Sequence, residues 1–176
     1  VYRLERKYNE SEETLEDSLR KNRKISNEFV EGSNLTYLGK LQAELGKLRE
    51  AENFFNEALE LQQKIVDKRG ESRSLILISG INSAKGEFDT AIVQLKVALL
   101  LAKEVGDKFV EGTALEFLGK VFLKMGSFFD AIPLLRESIS REFGDKNYLA
   151  ERSFFIGLSL LEEYDKPHDA LFFFLT

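Results

Sequence analysis

The sequence predicts an all-α protein built as a solenoid of antiparallel helix pairs, and three observations support this prediction. Small residues recur every 40 positions in two columns, which are Ser11, Ala51, Ala91 and Ala131, and Ser18, Ala58, Ala98 and Ser138. Apolar residues recur at helical spacing within each 40-residue unit. Almost no segment alternates apolar and polar residues as a strand would. Such a period is typical of an array whose units bury their apolar faces by stacking on one another.

Each unit divides into two amphipathic helices at two kinds of break. Glycines stand 40 residues apart at the first break, at Gly46, Gly86 and Gly126. A glycine there can end a helix in the left-handed conformation without a Cβ penalty. Side chains that accept the free amides of a helix start stand at the second break, at Asn27, Asp67, Asp107 and Asn147. We therefore expect these four residues to be helix N-caps.

Five segments follow in order along the chain. Residues 1–26 form a partial unit that is mainly a second helix, residues 27–66, 67–106 and 107–146 form three complete units, and residues 147–176 begin a fourth. Both ends of the chain fall inside predicted helices, whereas a solenoid normally closes with a polar capping helix. We therefore expect the whole chain to be one repeat domain and part of a longer protein.

Composition excludes several classes of function. The 25 basic and 30 acidic residues are spread along the 176-residue chain, and a net charge of −5 argues against a nucleic-acid partner, which would need a basic face. The absence of cysteine excludes disulfides, a cysteine-ligated zinc site and a cysteine nucleophile. The longest apolar runs are far shorter than the roughly 20 residues that cross a bilayer. We expect a cytoplasmic protein without a membrane partner.

No catalytic, cofactor or metal site is predicted. The glutamates at Glu31, Glu71, Glu111 and Glu151 form a column near predicted helix starts. An anion there stabilises a helix, and a repeating column cannot converge on one site. The single histidine, His168, has no cysteine to complete a metal site of the usual ligand spacing. The chain is therefore predicted not to be an enzyme.

The repeating columns resemble the tetratricopeptide repeat, a helix-turn-helix unit. In residues 27–66 the matching residues are Leu35, Leu38, Gly39, Gly46, Leu48, Ala51, Phe55 and Ala58. The 40-residue period is similar to the longer repeats of Pins-type G-protein modulators, kinesin light chains and Rap regulators. The resemblance implies a right-handed superhelix whose first helices line a concave groove.

The resemblance also implies which residues face a bound peptide. They are Thr36, Lys40, Glu44, Arg73, Ile76, Thr113, Glu116, Lys120, Lys124, Ile156, Leu160 and Glu163. Several relatives place asparagine at the ninth position of each unit, which is Lys40, Gly80, Lys120 and Leu160 here. The asparagine ladder is therefore absent, and binding of chaperone tails is not expected.

The predicted function is a protein–protein interaction scaffold that binds a peptide or helix of a partner in the concave groove. The basic residues Lys40, Arg73, Lys120 and Lys124 would attract an acidic segment. Against this, Lys40 with Glu44 and Glu116 with Lys120 stand at i, i+4 spacing, the geometry of ion pairing within a solvated helix face. A helical or mixed-charge partner is the alternative. Two other functions remain open, a regulatory sensor segment that binds its own neighbouring domain and self-association through the helical ends.

Overall fold

Helices account for the whole fold in the computed structural model, which describes residues 2–142 and the side chains of residue 8 and residues 10–140. Seven helices follow one another in chain order. They are α1 (Tyr2–Lys24), α2 (Glu28–Glu44), α3 (Leu48–Lys64), α4 (Lys68–Lys85), α5 (Phe88–Val105), α6 (Lys108–Lys124) and α7 (Phe128–Glu142). Each helix packs against the next, and within residues 2–142 there is no strand. The predicted all-α solenoid is confirmed, while the predicted partial unit at 147–176 lies outside the described residues.

Three of the four predicted N-caps start a helix as expected. An oxygen of the Asn27 side chain accepts a hydrogen bond from the backbone N–H of Val30 at 3.3 Å. The carboxylate of Asp67 accepts from Gly70 at 3.0 Å, and that of Asp107 from Val110 at 3.1 Å. Because each bond satisfies an amide that the helix leaves free, these caps fix where α2, α4 and α6 begin. Asn147 lies outside the described residues.

The predicted glycine breaks are also confirmed. Gly46, Gly86 and Gly126 have φ values of 76°, 83° and 75°, in the left-handed region that favours glycine. The turn before the N-caps is left-handed too, and there the units differ: Gly106 has a φ of 69°, whereas Val66 has a φ of 59°. A β-branched residue is strained in this conformation, so the turn before α4 stores strain that the turn before α6 does not.

The small-residue columns form the helix contacts of the core. Ala51, Ala91 and Ala131 are fully buried, and so are the members of the second column in the same three helices, Ala58, Ala98 and Ser138. A small side chain lets two helices approach closely, and larger residues such as Phe55 then fill the space beside them. Ser11 is exposed, contrary to the prediction, because α2 is the one even-numbered helix that packs closely on α1 within residues 2–142, whereas α3 packs on both α2 and α4.

Across residues 2–142, none of the helices combines the length and the apolar character that crossing a bilayer requires.

Candidate binding cavity

A cavity runs across the three even-numbered helices, α2, α4 and α6. It has a volume of about 610 Å³, lies over α4, and is bounded by α2 on one side and α6 on the other. Its lining also includes Gln62 from α3 and Asp67 from the turn before α4. The site is therefore built by successive units together, and no single helix pair could form it.

Aromatic rings form two opposite walls of this cavity. Phe29 and Tyr37 of α2 stand on one side, and Phe109 and Phe117 of α6 occupy the equivalent positions two repeats later. Phe29, Tyr37 and Phe109 are each more than half exposed, which is unusual for rings of this size. Such rings offer a large apolar contact area to a ligand at low entropic cost.

Two arginines stand on α4 between the aromatic walls. The Arg69 guanidinium donates a hydrogen bond from Nε to the Asp107 carboxylate, which anchors it to the start of α6. Arg73 lies one helical turn further along α4 and is exposed. Its guanidinium forms no ion pair with any described residue, so it remains available to an anion.

The Asp107 carboxylate shows the electrostatic effect of both arginines. Its side chain is only 8% exposed, and this burial by itself raises the pKa. The hydrogen bond from the Val110 amide, the bond from Arg69 and the charges of Arg69 and Arg73 outweigh that effect, so the pKa of Asp107 lies below its ordinary value. The two arginines therefore stabilise the ionised form of the Asp107 carboxylate.

The floor of the cavity is a buried polar contact. The amide of Gln62 is 3% exposed and lies 2.7 Å from the Ser74 hydroxyl. With its nitrogen on that side, the amide also donates to the carbonyl oxygens of Ala58 and Gly70, at 3.2 and 3.1 Å. Because Gly70 has no side chain, Gln62 and Asp67 can both approach it closely: a Cβ there would lie 2.3 Å from an Asp67 oxygen.

Only some of the predicted groove residues meet in this cavity. Five of them line it: Thr36, Lys40, Arg73, Ile76 and Thr113. Glu44 lines a second cavity of about 360 Å³ beside Gly80, which Lys40 also borders. Glu116, Lys120 and Lys124 line neither cavity. Ile156, Leu160 and Glu163 lie outside the described residues.

One of the two predicted ion pairs forms and the other does not. Lys120 pairs with Glu116 at 2.6 Å, as the i, i+4 spacing predicted. Lys40 instead places its ammonium 5.8 Å from the centre of the Tyr37 ring, and no ion pair joins it to Glu44. A cation over an aromatic face is attracted by the ring electrons, so the Tyr37 side chain provides the alternative contact.

The prediction missed the aromatic walls, Arg69, Gln62 and Gly70. A signal for the cavity was present, because the second unit departs from the repeat at two positions. Gly70 stands where the neighbouring units have Val30 and Val110, and Gly80 stands where they have lysine. Each glycine removes a side chain beside one of the two cavities.

The acidic side chains do not gather into a metal site within residues 10–140. Within the part of the chain that the structure describes, no group of three or more histidine, aspartate or glutamate side chains is placed to hold an ion. His168 lies outside that part.

Comparison with known families supports the repeat assignment. Residues 36–65 match the tetratricopeptide repeat. This stretch covers the second half of α2, all of α3 and the turn residue that follows it. No curated protein sequence matches the chain.

Two solved structures are similar in fold. BtubC (BKLC) from P. vanneervenii is 17% identical, with a TM-score of 0.69 over 94% of this chain and 73% of that one. MamA is 20% identical, with a TM-score of 0.59 over 94% of this chain and 88% of that one. At these identities the likeness shows a helical repeat solenoid and nothing about the partner.

Proposed function

We propose that this chain is a protein-interaction scaffold, and not an enzyme, whose cavity over α4 holds a peptide or helix of another protein. The match of residues 36–65 to the tetratricopeptide repeat supports the general role. The cavity supports a binding site over α4, because helices that are already folded form its walls. A surface that is already ordered loses little entropy when a ligand binds, which favours affinity.

The single observation that carries the proposal is the exposed guanidinium of Arg73 in the cavity lining. It has no carboxylate partner among the described residues, and stands between two aromatic walls. Lys40 adds a second positive charge at the same cavity. We infer that the partner presents an acidic side chain to Arg73 and apolar side chains to the walls.

The wider groove belongs to the same proposal. Glu116, Lys120 and Lys124 of α6 would contact the continuation of the bound segment, as would Ile156, Leu160 and Glu163. We also propose that the chain belongs to the long-repeat subclass, because the starts of α2, α4 and α6 are spaced 40 residues apart. Within this proposal the absence of cysteine agrees with a reducing compartment, and we place the chain in the cytoplasm.

Selection from a random peptide library tests this proposal. Peptides displayed on phage are selected on the immobilised chain, and the enriched sequences are measured in solution by fluorescence anisotropy. We expect them to contain aspartate or glutamate beside apolar residues. The variant Arg73→Glu should weaken their binding by about tenfold or more, since a charge-assisted hydrogen bond contributes roughly 1.5–3 kcal/mol.

Arg49→Glu supplies the matched control. It makes the same arginine-to-glutamate change at an exposed residue of α3 that lines neither cavity and lies outside the predicted groove. We expect it to change affinity by no more than about twofold. Equal losses of peptide affinity in both variants would show that binding depends on the overall charge of the chain and not on the cavity. Failure to enrich any peptide would contradict the proposal and favour the sensor or self-association alternatives.

A further inference from the structure

A second apolar surface lies on the opposite side of the second unit. Val93, Val97 and Leu100 of α5 are 62%, 42% and 58% exposed. Their spacing of four and three residues places them on one face of the helix. The other face of α5 packs into the core through Ala91, Leu95, Ala98 and Ala102, which are fully buried. We call Val93, Val97 and Leu100 the outer stripe.

The repeat itself shows that the fold does not require an apolar stripe here. At the same three positions of α3, one repeat earlier, the chain has Asn53, Glu57 and Glu60. One repeat later, on α7, it has Pro133, Glu137 and Ser140. Helices in the same structural position therefore tolerate polar and charged side chains, and the outer stripe is a property of α5 alone among these three helices.

The charges beside the outer stripe indicate what kind of partner fits it. Lys96 and Lys103 lie seven residues apart, so both stand along the same edge of the stripe. Both are exposed, and neither ammonium forms an ion pair with a described residue. The nearby Glu104 carboxylate is already held by Lys68 at 2.9 Å. The surface is therefore an apolar stripe whose edge is cationic beside Val97 and Leu100, while the exposed Asp89 stands on the same edge one turn before Val93.

We propose that the outer stripe docks an amphipathic helix of another protein whose apolar face is bordered by acidic residues. Apolar residues of that helix at i, i+3 or i+4 and i+7 would cover Val93, Val97 and Leu100. Its carboxylates would face Lys96 and Lys103. A second copy of this chain fits less well, because antiparallel pairing of two α5 helices about Val97 would bring their Lys96 side chains together. This surface is separate from the cavity over α4.

Two designed peptides test the proposal directly. Each is a labelled amphipathic helix of about 18 residues with leucines on one face, and they differ only in carrying glutamates or lysines along one edge of that face. Fluorescence anisotropy measures both against the unmodified chain. We expect the glutamate-edged peptide to bind about tenfold tighter than the lysine-edged one, with the difference shrinking as salt is added.

Variants of the chain locate the binding surface. The triple variant Val93→Asn, Val97→Glu, Leu100→Glu carries residues that α3 already has at the same positions, and should lose at least about tenfold in affinity for the glutamate-edged peptide. The double variant Lys96→Glu, Lys103→Glu changes only exposed charges and should reverse the preference between the two peptides. Arg49→Glu, which changes an exposed arginine of α3 outside both the cavity and the outer stripe, should bind both peptides as the unmodified chain does.

Several results would overturn the proposal. They are failure of the unmodified chain to bind either peptide, equal affinity for both peptides, and unchanged peptide preference in the Lys96→Glu, Lys103→Glu variant. Sedimentation analysis measures the oligomeric state and so tests whether a second copy of the chain occupies the stripe. A dimer that the triple variant abolishes would show that it does. If the triple variant does not fold, the lysine double variant still decides the question.

Discussion

Two helix interfaces that occupy the same position in successive repeats differ in the polarity of their buried side chains and in the strain of their turns. The residues of the α3–α4 interface are Gln62, Val66, Gly70 and Ser74, and those of the α5–α6 interface, 40 positions later, are Ala102, Gly106, Val110 and Ala114. In the first interface a buried amide contacts a buried hydroxyl. In the second, two alanines and a valine are buried together without a polar side chain among them.

The comparison separates what the repeat determines from what single residues determine. Both interfaces have a left-handed turn and an aspartate N-cap, so the backbone path is common to them. The α3–α4 interface adds a strained valine in its turn and opens into the cavity at Gly70. Strain and buried polar groups often mark functional sites, where they are offset by the surrounding structure. The α5–α6 interface has neither the strained valine nor the buried polar contact, and its Val110 forms part of the cavity wall.

Ala102→Gln should have the largest effect, because it places the polar residue of the first interface in the second. Ala102 is fully buried in one core cluster with Ala114 of α6, so the new amide would be overpacked and without the serine hydroxyl that Gln62 has. We expect the free energy of unfolding to fall by about 2–5 kcal/mol, measured by urea denaturation.

A graft of the complete interface sharpens this result. In the variant Ala102→Gln, Val110→Gly, Ala114→Ser the amide regains both its hydroxyl partner and the space that Gly70 provides. Because residues in contact couple, the triple variant should lose less stability than the sum of the three single changes. Strict additivity would show that the polar contact of the α3–α4 interface contributes nothing of its own.

Gln62→Ala should have the next largest effect, and it weakens the first interface instead of the second. The change leaves the Ser74 hydroxyl and the Gly70 carbonyl without the amide that contacts them, and enlarges the cavity. A loss of about 1–3 kcal/mol follows from an unpaired buried polar group. In a double-mutant cycle with Ser74→Ala, the second change should cost less once Gln62 is gone; equal costs in both backgrounds would argue against the contact.

These energetic differences explain which parts of the structure could be read from the sequence. The N-caps and the glycine breaks depend on local backbone chemistry, so Asp67, Asp107 and Gly86 were assigned correctly from residue type and spacing alone. The buried alanine column was predicted for the same reason, since a small residue at a fixed interval has one main use in a solenoid.

The cavity was harder to predict because its residues come from four different elements. The resemblance placed Arg73 and Thr113 on the binding face, but it treated every unit alike and so also included Lys120 and Lys124. Lys120 is paired with Glu116 instead. Gly70 and Gln62 were not predicted, because neither residue type indicates a cavity by itself. The cavity floor depends on the contact that they make when α3 packs against α4.

Val66→Gly should have a smaller effect of opposite sign. Val66 is 71% exposed, so removing its side chain loses little packing, while its φ of 59° is relieved by a glycine such as the one at position 106. We expect a gain of about 1 kcal/mol, seen as a higher midpoint of thermal unfolding. The reverse change, Gly106→Val, should lower the midpoint. A loss of stability in Val66→Gly would show that the turn is not strained.

Asp107→Asn should have the smallest effect, and its pH dependence identifies the cause. Asparagine keeps an N-cap oxygen but lacks the negative charge that pairs with the Arg69 guanidinium. Since the pKa of Asp107 is lower in the folded chain than its ordinary value of 3.8, the ionised carboxylate stabilises the fold fully above that value. This contribution is lost as the pH falls through the lower folded pKa.

The magnitude of this effect is limited by solvent. Arg69 is 58% exposed on its side chain, so screening keeps the contribution below about 1 kcal/mol. Urea denaturation at neutral pH and at the lowest pH where the chain still folds should show the difference between Asp107→Asn and the unmodified chain shrinking on acidification. If the difference in the free energy of unfolding does not change with pH, it arises from packing and not from charge.

Methyl NMR of the isoleucine- and valine-labelled chain, titrated with a peptide enriched in the library selection, tests the central claim most directly. Ile76 and Val110 line the cavity over α4, while Val93 and Val97 lie on the exposed face of α5. Binding in the cavity predicts that the Ile76 and Val110 methyl signals shift, that those of Val93 and Val97 do not, and that Arg73→Glu abolishes the shifts. Unchanged Ile76 and Val110 signals in a chain that still binds the peptide would contradict the assignment of the cavity as the binding site.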